Sequence, residues 1–113
     1  MSRLKSEIWV AALLRRCQVE GKYGAVINKG AADAGAIYIY INHLDGTYHL
    51  LSPPPGPAYD DAGERRFILE FEMPQDWQQV SALVSRRLNF DSDLWAVEIE
   101  DRHGFAGLNP EII

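Results

Sequence analysis

Apolar and polar side chains alternate in steps of two over residues 36–44, 47–51, 67–73 and 94–101, the pattern of strands that bury one face. Ile37, Ile39 and Ile41 share one side, as do Phe67, Leu69, Phe71 and Met73 in their run and Trp95, Val97 and Ile99 in theirs. Tyr38, Tyr40, Asn42, Arg66, Ile68, Glu70, Glu72, Glu98 and Glu100 fall on the opposite sides, which predicts a sheet with an outer, wetter face. A shorter strand is predicted over 25–29, and Asp45-Gly46 between the first two alternating runs predicts a tight hairpin.

The period changes to that of a helix over 7–20 and again over 76–88. In the first, Val10, Leu13, Leu14 and Cys17 form a buried stripe, with Ser6 as the expected N-cap and Gly21 as a stop. Ile8, Trp9, Ala11 and Ala12 carry apolar surface almost right round it, so this helix is expected to lie deep or to be shared with a second subunit. In the second, Trp77, Val80, Leu83, Val84 and Leu88 line one side after the break at Pro74. The order α-β-β-β-β-α-β predicts an α+β fold in two layers, a mixed, mostly antiparallel five-stranded sheet with both helices on one face.

Residues 1–113 are expected to form a single domain, interrupted by a loop over 52–64 that holds Pro53, Pro54, Pro55 and Pro57. The segment 104–113, with Gly107 and Pro110, reads as a tail that needs a partner surface to stay ordered. With 47% apolar and 24% charged residues the chain can fill a core. The formal charge of −5 opposes general affinity for nucleic acid or an anionic membrane. Cys17 is the only cysteine and sits in an apolar run, as a small buried hydrophobe would. Arg3 and Lys5 before the apolar stretch 8–14 loosely imitate an export signal, but no small-x-small cleavage site follows, and a cytoplasmic protein with no membrane span is expected.

Candidate chemistry is sparse. His43 and His49 flank the Asp45-Gly46 turn and are expected as exposed hairpin histidines, a two-histidine metal pair with Asp45 being the alternative. Glu98, Glu100, Asp101 and His103 at the end of the last strand are the metal or acid-base candidates, weighed against a solvated charged sheet face. Asp33 and Glu70-Phe71-Glu72 imitate a metal-dependent nuclease core, but the lysine that pattern requires is missing. Nucleophile elbows, phosphate-cradling glycine loops and helical metalloprotease signatures are absent. No catalytic residue and no cofactor is assigned. Trp9, Tyr38 and Tyr40, with Arg15 and Arg16, are instead expected on a contact surface, because half-polar aromatics bury much area at little entropic cost.

Three stretches carry a resemblance: Arg3-Leu4-Lys5-Ser6-Glu7-Ile8-Trp9-Val10 running on to Leu14-Arg15-Arg16-Cys17, then Asp33-Ala34-Gly35-Ala36, then Phe90-Asp91-Ser92-Asp93-Leu94-Trp95-Ala96-Val97-Glu98-Ile99-Glu100-Asp101-Arg102. Together they resemble a family of short alphaproteobacterial proteins known as a domain of unknown function. The resemblance implies a stand-alone cytoplasmic protein and brings no activity, cofactor or catalytic residue. The expectation is a small non-catalytic interaction module, homodimeric or bound to a protein partner. The alternative is a small-ligand or divalent-metal enzyme using the acidic end of the last strand.

Overall fold

The computed structural model describes residues 4–112; Arg3 of the first resembling stretch and Ile113 of the tail lie outside them. Helix α1 (Ser6–Val19) is followed by strands β1 (Gly24–Asn28), β2 (Ile37–Asn42), β3 (Tyr48–Ser52) and β4 (Ile68–Leu69), helix α2 (Trp77–Phe90) and strand β5 (Trp95–Glu100). The fold is α+β, and the element order is the one read from the sequence. The sheet runs β1-β5-β2-β3-β4. Only β2 and β5 are parallel, Ile39 beside Val97, while the other neighbours are antiparallel. Asp76 caps α2 by accepting from the Gln79 N–H at 2.9 Å.

The helices do not share a face, which corrects the two-layer expectation. Val10, Leu13 and Cys17 of α1 pack with Ile37, Ile39, Ile41, Leu51, Val97 and Ile99. Val80 and Val84 of α2 pack with Tyr40, Leu50, Leu94 and Ala96, the alternate positions of the same strands. Successive strand residues point to opposite faces, so α1 and α2 cover the sheet from two sides. The face expected to be wet is therefore half of the core, and Tyr40 is 3% exposed beneath α2. Trp77 closes that layer, with its ring centroid 4.9 Å from Tyr40 and 5.1 Å from Tyr48.

Ser6 is not the N-cap of α1; it is the first helical residue, and its buried hydroxyl donates to the Gly35 carbonyl at 2.6 Å. The alternating run 67–73 forms strand with β3 only at Ile68 and Leu69, and a last ladder bond runs from the Glu70 N–H to the Leu50 carbonyl at 2.9 Å. Phe67 then packs on the α1 side and Phe71 on the α2 side, while Met73 is exposed, so one continuous face does not form. The 52–64 loop is closed by a bridge between Tyr59 and Arg65. The tail orders itself on its own chain: Glu111 bridges Ile68, its carboxylate holds the Arg66 guanidinium at 2.7 and 2.9 Å, and Ala106 is fully buried.

Candidate functional site

Among the described residues the acidic end of β5 gathers no ligand set. Asp101 spends its carboxylate on the backbone N–H groups of Ala106, Gly104 and His103, at 2.9, 3.2 and 3.3 Å. Burial works to raise its pKa, but these bonds outweigh it and hold the carboxyl below the usual range. Glu98 accepts from the Asn42 amide at 3.1 Å, and His103 is exposed. Glu70 and Glu72 are two strands away from Glu98 and Glu100, because β2 and β3 separate β4 from β5. Among the described residues no three His, Cys, Asp or Glu side chains gather as a ligand set.

His43 and His49 do come together, and His49 is buried rather than exposed. His43 Nε2 lies 2.7 Å from His49 Nδ1, with the rings edge to face. His43 Nδ1 is 2.7 Å from the Asp101 carbonyl oxygen, and His49 Nε2 is 3.2 Å from that of Glu72. A carbonyl oxygen only accepts, so His43 Nδ1 carries the proton it donates to Asp101. In the neutral ring His43 Nε2 is then an acceptor, and His49 donates from Nδ1. His49 Nε2 is left bare opposite Glu72, the longest of the three contacts. A third proton would fill that contact at the cost of placing a charge on a buried ring.

Burial accordingly pushes His49 below the ordinary imidazole value of 6.5, more strongly than the Glu72 carbonyl raises it, with His43 adding repulsion. The unfolded chain then takes up a proton before the native one does, so stability is expected to fall as pH drops through about 6.5. His49→Gln should flatten this slope. Urea midpoints between about pH 7 and pH 5.5, above the carboxylate range, provide the check, and an unchanged slope in the variant would rule out His49 as its source.

The aromatic and basic candidates separate. Trp9 packs on Phe67 and under the Arg65 guanidinium, which lies 5.4 Å from the Trp9 ring centroid and 5.1 Å from that of Tyr59. Arg16 donates to the Ala106 carbonyl at 2.7 Å and so ties α1 to the tail. Tyr38 lies against Arg87, which grips Glu70 through two N–H donors at 2.6 and 3.2 Å; Ser52 also donates to Glu70. Burial disfavours the Glu70 charge, yet these donors hold its pKa below the usual value. Tyr40, pushed up to about 12 by burial and then by Glu98, is closed to any outside partner. Of these five contact candidates only Arg15 is exposed.

A surface not singled out from the sequence lies at the other end of the sheet. The β4 edge is covered by the tail, whereas β1 ends the sheet with Tyr23 62%, Ile27 51% and Val26 41% exposed. The Glu100 N–H donates to the Tyr23 carbonyl at 2.9 Å, and Ala25 stands opposite Glu98. Alternation of an antiparallel ladder then aims the N–H and C=O groups of Gly24 and Val26 away from β5. Beside this edge a groove of about 530 Å³ is lined by Ala11, Leu14, Arg15, Gln18, Lys22, Tyr23 and Gly24. The open edge depends on strand order, which a one-dimensional pattern does not carry; the exposed run Val26-Ile27 was its only local sign.

A model for a family described as a protein of unknown function, DUF1491, matches residues 4–109. The solution structure of protein Atu0922 from A. tumefaciens is 40% identical and superposes with a TM-score of 0.78, covering 97% of this chain and 99% of that one. A crystal structure of a DUF1491 family protein from Caulobacter crescentus is 33% identical with a TM-score of 0.77, again over 97% and 99% of the two chains. An NMR structure of a DUF1491 family protein from the same organism is 32% identical with a TM-score of 0.76, over 100% and 99%. Comparison with curated proteins gives no match.

Proposed function

The chain belongs to the DUF1491 family, and from that premise we propose that it is a non-catalytic protein-interaction module whose working surface is the open edge of β1 with the adjoining flank of α1. The observation that supports this reading is the unequal treatment of the two sheet edges: the tail covers β4, while β1 leaves backbone donors, acceptors and apolar side chains to solvent. Unpaired edges invite another chain, and an added strand gains main-chain hydrogen bonds together with side-chain pockets. The buried Cys17 needs no oxidising compartment, and a cytoplasmic location is part of the same proposal. No helix of the described residues is long and apolar enough to cross a membrane.

A synthetic peptide copying residues 22–30 of this chain is expected to shift the backbone amide resonances of Gly24 to Asn28 on titration into the ¹⁵N-labelled protein. Val26→Pro should abolish those shifts, since proline removes an outward N–H. Shifts scattered over α2 and the 52–64 loop, or none at millimolar peptide, would defeat the reading.

A further inference from the structure

We propose that the occupant of this edge is a second copy of the chain, related by a two-fold axis that passes beside Ala11 of α1 and Val26 of β1. This rests on the reading of the β1 edge above and names its partner. About such an axis β1 pairs antiparallel with its mate, and α1 lies antiparallel against the mate's α1.

The charges of α1 favour a copy over a foreign strand. Glu7, Ala11 and Arg15 are spaced i, i+4, i+8 and so form one stripe along the helix. Ala11 and Arg15 line the groove beside Lys22, Tyr23 and Gly24, which puts that stripe on the flank bordering the β1 edge. Glu7 and Arg15 are both exposed, and neither belongs to an ion pair among the described residues. Within one helix they stand about 12 Å apart, too far to pair. Turning a second helix end for end about Ala11 sets each Glu7 opposite the other copy's Arg15, satisfying both pairs at once. Alanine at the centre permits close approach, and exposed Ile8 adds apolar area on the same helix.

The strand accepts the same axis. A Cβ on Gly24 would touch Leu14, while Ser6 reaches Gly35 beyond the far end of β1, so α1 runs antiparallel to β1. Three residues back from Leu14, about 4.5 Å, is Ala11; two residues on from Gly24, about 6.6 Å, is Val26. The centres of the two elements therefore lie close to one line. Val26 aims its backbone groups outward and would exchange both hydrogen bonds with its own mate. The register irregularity between Val26 and Asn28 shortens the ladder this strand can offer, so the helix flank must supply part of the specificity. A foreign strand would satisfy the edge and leave the mirrored charges of α1 unanswered.

Light scattering on eluting fractions across a concentration series, with far-ultraviolet circular dichroism to verify each fold, tests the proposal. The wild type is expected to dimerise. Glu7→Arg and Arg15→Glu, each turning two attractive pairs repulsive, should weaken the dimer about tenfold or more. The double variant Glu7→Arg with Arg15→Glu should recover most of that loss, because the exchanged charges meet again. A protein monomeric at millimolar concentration, a dimer indifferent to the single reversals, or a double variant as weak as the singles would each overturn the assignment. If the 22–30 peptide still binds β1 in those cases, the edge stands as an interaction surface and only the choice of partner fails; if it does not, both readings fall.

Discussion

Ile39→Ala is expected to cost about 4 kcal/mol of folding stability, a large part of what a chain this size possesses. Ile39 is fully buried at the middle of β2, the central strand, with Val97 of β5 on one side and Leu51 of β3 on the other. Ile39 and both register partners belong to the cluster covered by Val10, Leu13 and Cys17 of α1. Neighbours held by two ladders and a helix cannot collapse into the space left by the lost carbons, which places the change at the upper end for such truncations. Urea denaturation monitored by tryptophan fluorescence provides the measurement. A loss below about 1 kcal/mol would mean that this cluster is not the stabilising centre.

Gly30→Ala is expected to be nearly as harmful for the opposite reason, overcrowding. A Cβ at Gly30 would stand 2.6 Å from the carbonyl carbon of Leu94 and closer still to the Asp93 carbonyl oxygen. Those are backbone atoms, so no side-chain rotation relieves the clash. The same short stretch bears three attachments: the Ala31 N–H donates to the Asp93 carbonyl at 2.9 Å, the Trp95 indole donates to the Ala31 carbonyl at 2.8 Å, and the Trp95 N–H donates to the Ala36 carbonyl at 2.7 Å. Moving Gly30 away breaks that lacing, so a loss of about 3 kcal/mol or a failure to fold is expected. Gly35→Ala meets the Asp93 carbonyl in the same way and should behave alike. Thermal unfolding of the two variants beside the wild type checks this, and an unchanged midpoint for Gly30→Ala would show that the approach is looser than its geometry implies.

Several elements were legible because their causes are local. The two-residue period marks β2 and β5, the 3.6-residue period marks both helices, and Asp45-Gly46 marks the hairpin between β2 and β3. The two-sided burial of the sheet also left signs. Leu50-Leu51 and Leu94-Trp95-Ala96-Val97 are apolar at consecutive positions, which a strand with one wet face does not need. Tyr38 and Tyr40 read as outer residues because a phenol suits either setting; the α2 layer over Tyr40 settles which applies. The 67–73 run misled because alternation describes a strand only while a neighbour continues to pair, and here the ladder to β3 ends with the Glu70 N–H on the Leu50 carbonyl.

For the sites the division is sharper. His43 and His49 were recognisable as hairpin neighbours, but the carbonyls that bind their outer nitrogens come from Asp101 and Glu72, far along the chain. Asp101 was read as a possible ligand, and local backbone N–H groups already occupy it.

By itself the sequence determined the element types, their order, the α+β class and the apolar stripe of each helix, since periodicity and turn chemistry act over a few residues. Only the tertiary structure decided that β5 inserts between β1 and β2, that α1 and α2 lie on opposite faces, that the tail covers one edge and that, among the described residues, no strand covers the other. Those outcomes turn on which distant segments meet. A strand's pattern tells what each of its faces requires, but not which helix, strand or second chain supplies it.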